Sequence, residues 1–173
     1  MALHPLDNPK TFALDRGNVI ASIDMLADQA KQAWSEAKRI HIPESFRDID
    51  HIVMNGMGGS GLAGHIVEAA FRDKLTIPFF LTHSYKIPKH VGKKTLYIIS
   101  SYSGDTEEVL ASYEEAKRRG AHVLGIASGG VLGEKIKKGA LTGYCFKPVY
   151  NPGKKPRFAL GYSIFGVLGL LDA

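Results

Sequence analysis

Thr95-Leu96-Tyr97-Ile98-Ile99-Ser100-Ser101-Tyr102-Ser103-Gly104-Asp105-Thr106-Glu107-Glu108-Val109 passes from an apolar run, through a glycine flanked by hydroxyls, into a helical pattern that continues with Leu110 and Tyr113. A strand with one face in water alternates apolar and polar residues. Leu96–Ile99 does not alternate, which predicts a strand covered on both faces and hence a parallel sheet between helical layers. The same succession recurs along the chain. His51–Asn55 precedes a helical pattern over Leu62–Arg72, Ile77–Thr82 follows, His122–Ala127 precedes Val131–Lys138, and Thr142–Phe146 closes the series. This βαβ rhythm predicts an α/β three-layer sandwich with a five-stranded parallel sheet flanked by helices. Ahead of it, Val19, Ile23, Leu26, Ala30, Trp34 and Ala37 have the three- and four-residue spacing of one amphipathic helix over 19–37. In open parallel sheets, ligands gather beyond the carboxyl ends of the strands, so the residues after each strand are the place to look for chemistry.

The chain has 173 residues, 45% of them hydrophobic and 23% charged, enough for one substantial core and unlike a disordered composition. Its formal charge of +5 suits an anionic partner. The basic residues are dispersed, however, and there is no zinc-ligand framework, RNA-reading aromatic motif or helix-turn-helix pair, so nucleic acid is not expected. The single cysteine, Cys145, excludes an intrachain disulfide, suits a reducing compartment and reads as a small buried hydrophobe. Met1–Lys10 lacks the charged start and apolar core of a signal peptide, which predicts a cytoplasmic location. The apolar run Phe158–Leu171 is shorter than the roughly 20 residues that span a bilayer, so it reads as a buried helix and no membrane association is expected.

Two turns carry the chemistry. Gly56-Met57-Gly58-Gly59-Ser60-Gly61 follows the first strand and opens the first sheet helix. Its glycines let the backbone turn tightly beside a ligand, and the helix start presents free N–H groups and the positive end of a dipole. Positions 56, 58 and 61 also meet the G-x-G-x-x-G spacing of dinucleotide sites. The acidic residue that should bind a ribose at the end of the next strand is missing: the sequence there is Phe80-Leu81-Thr82-His83-Ser84, and Asp73 precedes that strand. In the second turn, Ser101, Ser103 and Thr106 flank Gly104 at a helix start, offering several neutral donors to one group of anionic oxygens. Helix capping by one hydroxyl, or by an Asp105/Glu108 capping box, accounts for one or two of these residues and not for the cluster.

Ser101-Tyr102-Ser103-Gly104-Asp105-Thr106 resembles the Ser-x-Ser-Gly-x-Thr loop of the SIS (sugar isomerase) domain family. Gly56–Gly64 and Pro156-Arg157-Phe158-Ala159-Leu160-Gly161-Tyr162, in that order, are similar to the N-terminal half of bifunctional phosphoglucose/phosphomannose isomerases. The resemblance implies a flavodoxin/Rossmann-like SIS fold and a phosphorylated sugar as substrate, interconverted between aldose and ketose without a metal or redox cofactor. It further implies that Gly59, Ser60, Ser101, Ser103 and Thr106 hold the substrate phosphate. Arg157 is implied as a catalytic residue by the reacting carbons, where a guanidinium can stabilise an enediolate oxyanion. A homodimer is also implied.

Members of that kind carry two SIS domains, and their base, ring-opening histidine and substrate-contacting lysine come from the second. Here Glu68, Glu107, Glu108, His65, His83 and His122 read as helix surface, caps or loop residues. The expected organisation is an N-terminal helical segment over 1–45, the phosphate-binding domain over 46–150, and a linker and apolar helix over 151–173 leading to a missing second domain. The rival reading is a non-catalytic sugar-phosphate-binding regulatory module.

Overall fold

The structure, a computed structural model, describes residues 9–173; the expectation about a signal peptide falls mainly on 1–8, outside the described residues. Three helices lead: α1 (Pro9–Phe12), α2 (Val19–Asp24) and α3 (Leu26–Ala37). There follow β1 (His51–Gly56), α4 (Gly58–Phe71), β2 (Phe79–Thr82), β3 (Thr95–Ser101), α5 (Glu107–Arg118), β4 (His122–Ala127), α6 (Gly130–Lys137), β5 (Thr142–Cys145) and α7 (Leu160–Asp172). The five strands form one sheet in the order β2-β1-β3-β4-β5, every neighbouring pair parallel. The chain therefore starts near the middle and winds outward in both directions, and the reversal falls between β1 and β3.

The unbroken apolar runs have their explanation in the two faces. Ile52, Met54, Leu96, Ile98, Leu124 and Ile126 join the core beneath α3, α4 and α7. Val53, Tyr97, Ile99 and Val123 join the other core, with Val109, Tyr113 and Ala116 of α5 and Leu132 of α6. Alternate residues serve opposite layers, so β3 is buried throughout and only the first residues of β1 and β4, His51 and His122, are half-exposed.

The leading helical region differs from its expected form in two ways. It breaks at Met25 into α2 and α3. Its buried line is Ser22, Gln29, Ala33 and Ala37, while Ile23 and Leu26 are exposed. The cause is the closeness of α7. A methyl group on Gly161 would stand 2.6 Å from Gln29 Cβ and 2.8 Å from the Leu26 carbonyl oxygen, and one on Gly169 would stand 2.7 Å from Ala37 Cβ. Two backbones this near admit only small or slender side chains between them, so the large apolar residues turn outward. No helix among the described residues is long and apolar enough to cross a membrane.

Other boundaries shift by a few residues. α4 begins at Gly58, inside the glycine turn, and β2 begins at Phe79, after Pro78, which lacks the N–H that a ladder needs. The stretch Pro148–Pro156, linker-like by composition, is pinned to the domain. Asn151 is 1% exposed, and Gln29 Nε2 lies 2.9 Å from the Tyr150 carbonyl and 2.8 Å from that of Phe158. Cys145 is half-buried on β5, and burial pushes its thiol up.

Candidate functional site

The reversal of strand order creates a crevice, because β1 feeds α4 on one face while β3 feeds α5 on the other. Both turns singled out in the sequence stand there. Gly56 pairs in register with Ser100, and the Tyr102 N–H donates to Ser60 Oγ at 2.9 Å, so the turns are joined directly. No side chain caps the N-terminus of α4 or of α5. Thr106 occupies the cap position of α5 with an extended backbone, yet its Oγ1 lies 2.7 Å from Ser101 Oγ and is turned away from the helix. The hydroxyl that ordinarily caps a helix is part of a cluster instead.

Ser101, 1% exposed, is the centre of that cluster. Its Oγ accepts the Gly104 N–H at 3.0 Å and lies 3.4 Å from Ser103 Oγ. Ser103 is exposed and accepts the Asp105 N–H at 3.3 Å. Ser60 is 5% exposed on the first turn of α4. Ser60 and Ser101 each receive a backbone N–H on the oxygen, which leaves each hydroxyl proton to donate elsewhere. Gly104 adopts the left-handed φ of +81°, and its carbonyl accepts the Leu132 N–H at 3.0 Å, tying the turn to α6.

Asp105 does not form a capping box for α5. Its Oδ1 accepts the Val131 N–H at 2.8 Å at the start of α6, where a carboxylate interacts favourably with the helix dipole. The acid is thereby directed away from the hydroxyl cluster. Asp105→Ala is expected to lower stability by about 1 kcal/mol through loss of this cap, seen as a shifted urea midpoint with unchanged slope.

Arg157 lies in a 3-10 turn over Pro156–Phe158 and is exposed. Its backbone rests on the first turn: a Cβ on Gly59 would stand 2.8 Å from Arg157 N and 2.9 Å from its Cα. Gly59, Ser60, Ser101, Ser103, Thr106 and Arg157 thus gather around one end of the sheet from three segments of the chain.

Three further residues contribute, of which the sequence singled out His83 alone, and that as a surface, cap or loop residue. Asn151 Nδ2 donates to Tyr102 Oη at 3.0 Å and to the Lys155 carbonyl at 3.1 Å. His83, where a dinucleotide site would have its acid, places Nδ1 2.6 Å from the Gly56 carbonyl and Nε2 3.0 Å from His65 Nε2. A carbonyl only accepts, so His83 Nδ1 carries a proton, and the ring braces the glycine turn from outside. Asn55, just before that turn, donates from Nδ2 to the Ser84 carbonyl at 3.0 Å. Position alone could have drawn attention to His83 and Asn55, which end neighbouring strands; nothing marked Asn151. A cavity of about 580 Å³ lies elsewhere, lined in part by Phe46, Leu75, Leu124 and Leu170, and none of the site residues lines it.

The chain is similar to known proteins over most of its length. The bifunctional phosphoglucose/phosphomannose isomerase of Caldicellulosiruptor bescii is 39% identical over 158 residues, covering 87% of this chain and 45% of that protein. The enzyme of the same name from Thermoplasma acidophilum is 38% identical over 146 residues, 78% of this chain and 46% of its own length. The chain thus spans about half the length of these curated relatives. Among solved structures, the C-terminal domain of glucosamine-fructose-6-phosphate aminotransferase from Francisella tularensis matches 91% of this chain and 49% of its own, with a TM-score of 0.66 at 13% identity, a likeness of fold. Residues 45–131, which hold both turns and four of the five strands, match the SIS domain, and the chain belongs to the SIS domain family.

Proposed function

We propose that this chain is the N-terminal, phosphate-binding half of a sugar-phosphate isomerase of the phosphoglucose/phosphomannose type. The observation that carries the reading is the joining of two uncapped helix starts by the Tyr102–Ser60 hydrogen bond, with three hydroxyls clustered beside them. A phosphate monoester has several oxygens to satisfy. Two helix dipoles, free N–H groups, the hydroxyls of Ser60 and Ser103, and whichever proton of the Ser101–Thr106 pair does not lie in the bond between them meet that demand without a fixed cation.

Holding the phosphate places the sugar's first two carbons at a fixed distance from it, and orientation of this kind supplies much of the advantage of an enzyme over solution. Conversion of an aldose phosphate to a ketose phosphate moves a proton between those carbons through an enediolate. Arg157, on the segment lying over Gly59, is assigned to the developing oxyanion. The carboxylate that shuttles the proton is assigned to the other half of the enzyme, as the extent of the relatives suggests. The boundaries 46–150 for the phosphate-binding domain, a cytoplasmic location and a homodimer belong to the same reading. Half-buried Ile164, Phe165 and Leu168 on α7 offer the dimer an apolar face.

Titration calorimetry tests the reading. Fructose 6-phosphate and inorganic phosphate are expected to bind and fructose is not, and Ser103→Ala, on an exposed residue that leaves the fold intact, should weaken both by about tenfold. Equal binding of fructose and its phosphate, or no effect of Ser103→Ala, contradicts it. An isomerase assay then separates an enzyme from a regulatory module, which binds but does not turn over even when joined to its second half.

A further inference from the structure

Tyr102 lies between the two serines of the second turn, a position that the motif leaves open, yet it uses every polar group it owns. Its N–H donates to Ser60 Oγ at 2.9 Å, and its carbonyl accepts from Ser128 N at 3.1 Å and Ser128 Oγ at 2.6 Å. Its phenol oxygen accepts from Asn151 Nδ2 at 3.0 Å, and its ring meets Phe146 edge-on with centroids 5.9 Å apart. One residue therefore joins the start of α4, the end of β4 and the stretch that leads to Arg157. Burial pushes the phenol up, so it stays neutral and able to accept.

Asn151 completes the connection. It is 1% exposed, and the same Nδ2 donates to the Lys155 carbonyl at 3.1 Å, two residues before Arg157. The backbone of Arg157 then rests against Gly59. From the hydroxyl cluster the path runs Tyr102, Asn151, Lys155, Arg157 and back to the glycine turn, a closed ring of contacts around the crevice.

We propose that Tyr102 is a positioning residue: through Asn151, its phenol sets where Arg157 stands relative to the bound phosphate. The proposal rests on the phosphate-binding reading above. A tyrosine that only filled space would be replaced by phenylalanine without consequence, since the ring, the N–H and the carbonyl all remain. If the phenol is a strut, phenylalanine releases the 151–157 stretch and leaves the phosphate turns as they were.

Tyr102→Phe is the direct test, with Asn151→Ala reaching the same contact from its other end. Both should retain inorganic phosphate affinity within about twofold while losing about fivefold or more for fructose 6-phosphate, the size expected for one part-buried hydrogen bond, with Asn151→Ala, which also loses the bond to the Lys155 carbonyl, the larger of the two. Tyr102→Phe combined with Arg157→Ala should bind fructose 6-phosphate no more weakly than Arg157→Ala alone, because both remove one effect. In the free protein, amide exchange over 151–157 should quicken in Tyr102→Phe while that over 58–61 is unchanged. Unchanged exchange over 151–157, additive effects with Arg157→Ala, or equal losses for phosphate and fructose 6-phosphate each overturn the proposal. A wild-type chain that binds neither anion contradicts the phosphate reading itself, and the exchange measurement still judges the strut.

Discussion

Gly104→Ala is expected to remove phosphate binding and to lower the stability of the chain by about 2–5 kcal/mol. Gly104 has φ +81°, a left-handed conformation that alanine adopts only under strain. Space is the harder limit. A Cβ at this position would stand 1.8 Å from the Gly129 carbonyl oxygen and 2.7 Å from the Gly129 carbonyl carbon, and both belong to backbone. Relief therefore requires the second turn to part from the start of α6, breaking the Leu132 N–H bond to the Gly104 carbonyl and drawing the Gly104 N–H from Ser101 Oγ. The hydroxyl cluster loses its centre at the same time. Urea denaturation followed by circular dichroism measures the stability, and calorimetry with inorganic phosphate the binding. A midpoint within error of wild type, or phosphate affinity unchanged, shows that the turn accommodates a side chain and that its left-handed geometry is not needed for the site.

The residues that could be read from the sequence are those whose chemistry is local. Leu96–Ile99 declared a strand buried on both faces because burial leaves an apolar run, and the structure divides that run between two cores. Ser101, Ser103, Gly104 and Thr106 were legible because a turn into a helix must solve its own hydrogen bonding within a few residues. The leading helix was legible as a helix but not in its orientation. Spacing shows which residues share a face; it cannot show that Gly161 and Gly169 of a distant helix come so near that Gln29, Ala33 and Ala37 are the ones enclosed. Asn151 failed for a related reason. Its neighbours Pro148, Pro152, Gly153 and Lys154 give a linker's composition, while its single amide joins the nearby Lys155 carbonyl to Tyr102, 49 residues away in the chain. The bond between Ser60 and the Tyr102 N–H is likewise invisible in a string, although it follows once β1 and β3 are known to be neighbours.

Gly59→Ala is expected to separate the two parts of the site, leaving phosphate binding while removing the contribution of Arg157 to the sugar. Gly59 is the second residue of α4, a place where alanine is no worse a helix former than glycine, so the helix itself does not lose by the change. The backbone N–H groups that face an anion at the helix start are retained. The added methyl has no room on its outer side: it would stand 2.8 Å from Arg157 N, 2.9 Å from Arg157 Cα and 2.9 Å from the Pro156 carbonyl carbon. These are backbone atoms of an exposed 3-10 turn, which yields more readily than the buried helix, so Arg157 is displaced and α4 keeps its place. Inorganic phosphate should then bind within about threefold of wild type and fructose 6-phosphate at least about tenfold more weakly, and in the enzyme joined to its second half the loss should appear mainly in kcat. Equal weakening for the two ligands would mean that Gly59 serves the phosphate alone and that the nearness of Arg157 has no part in recognising the sugar.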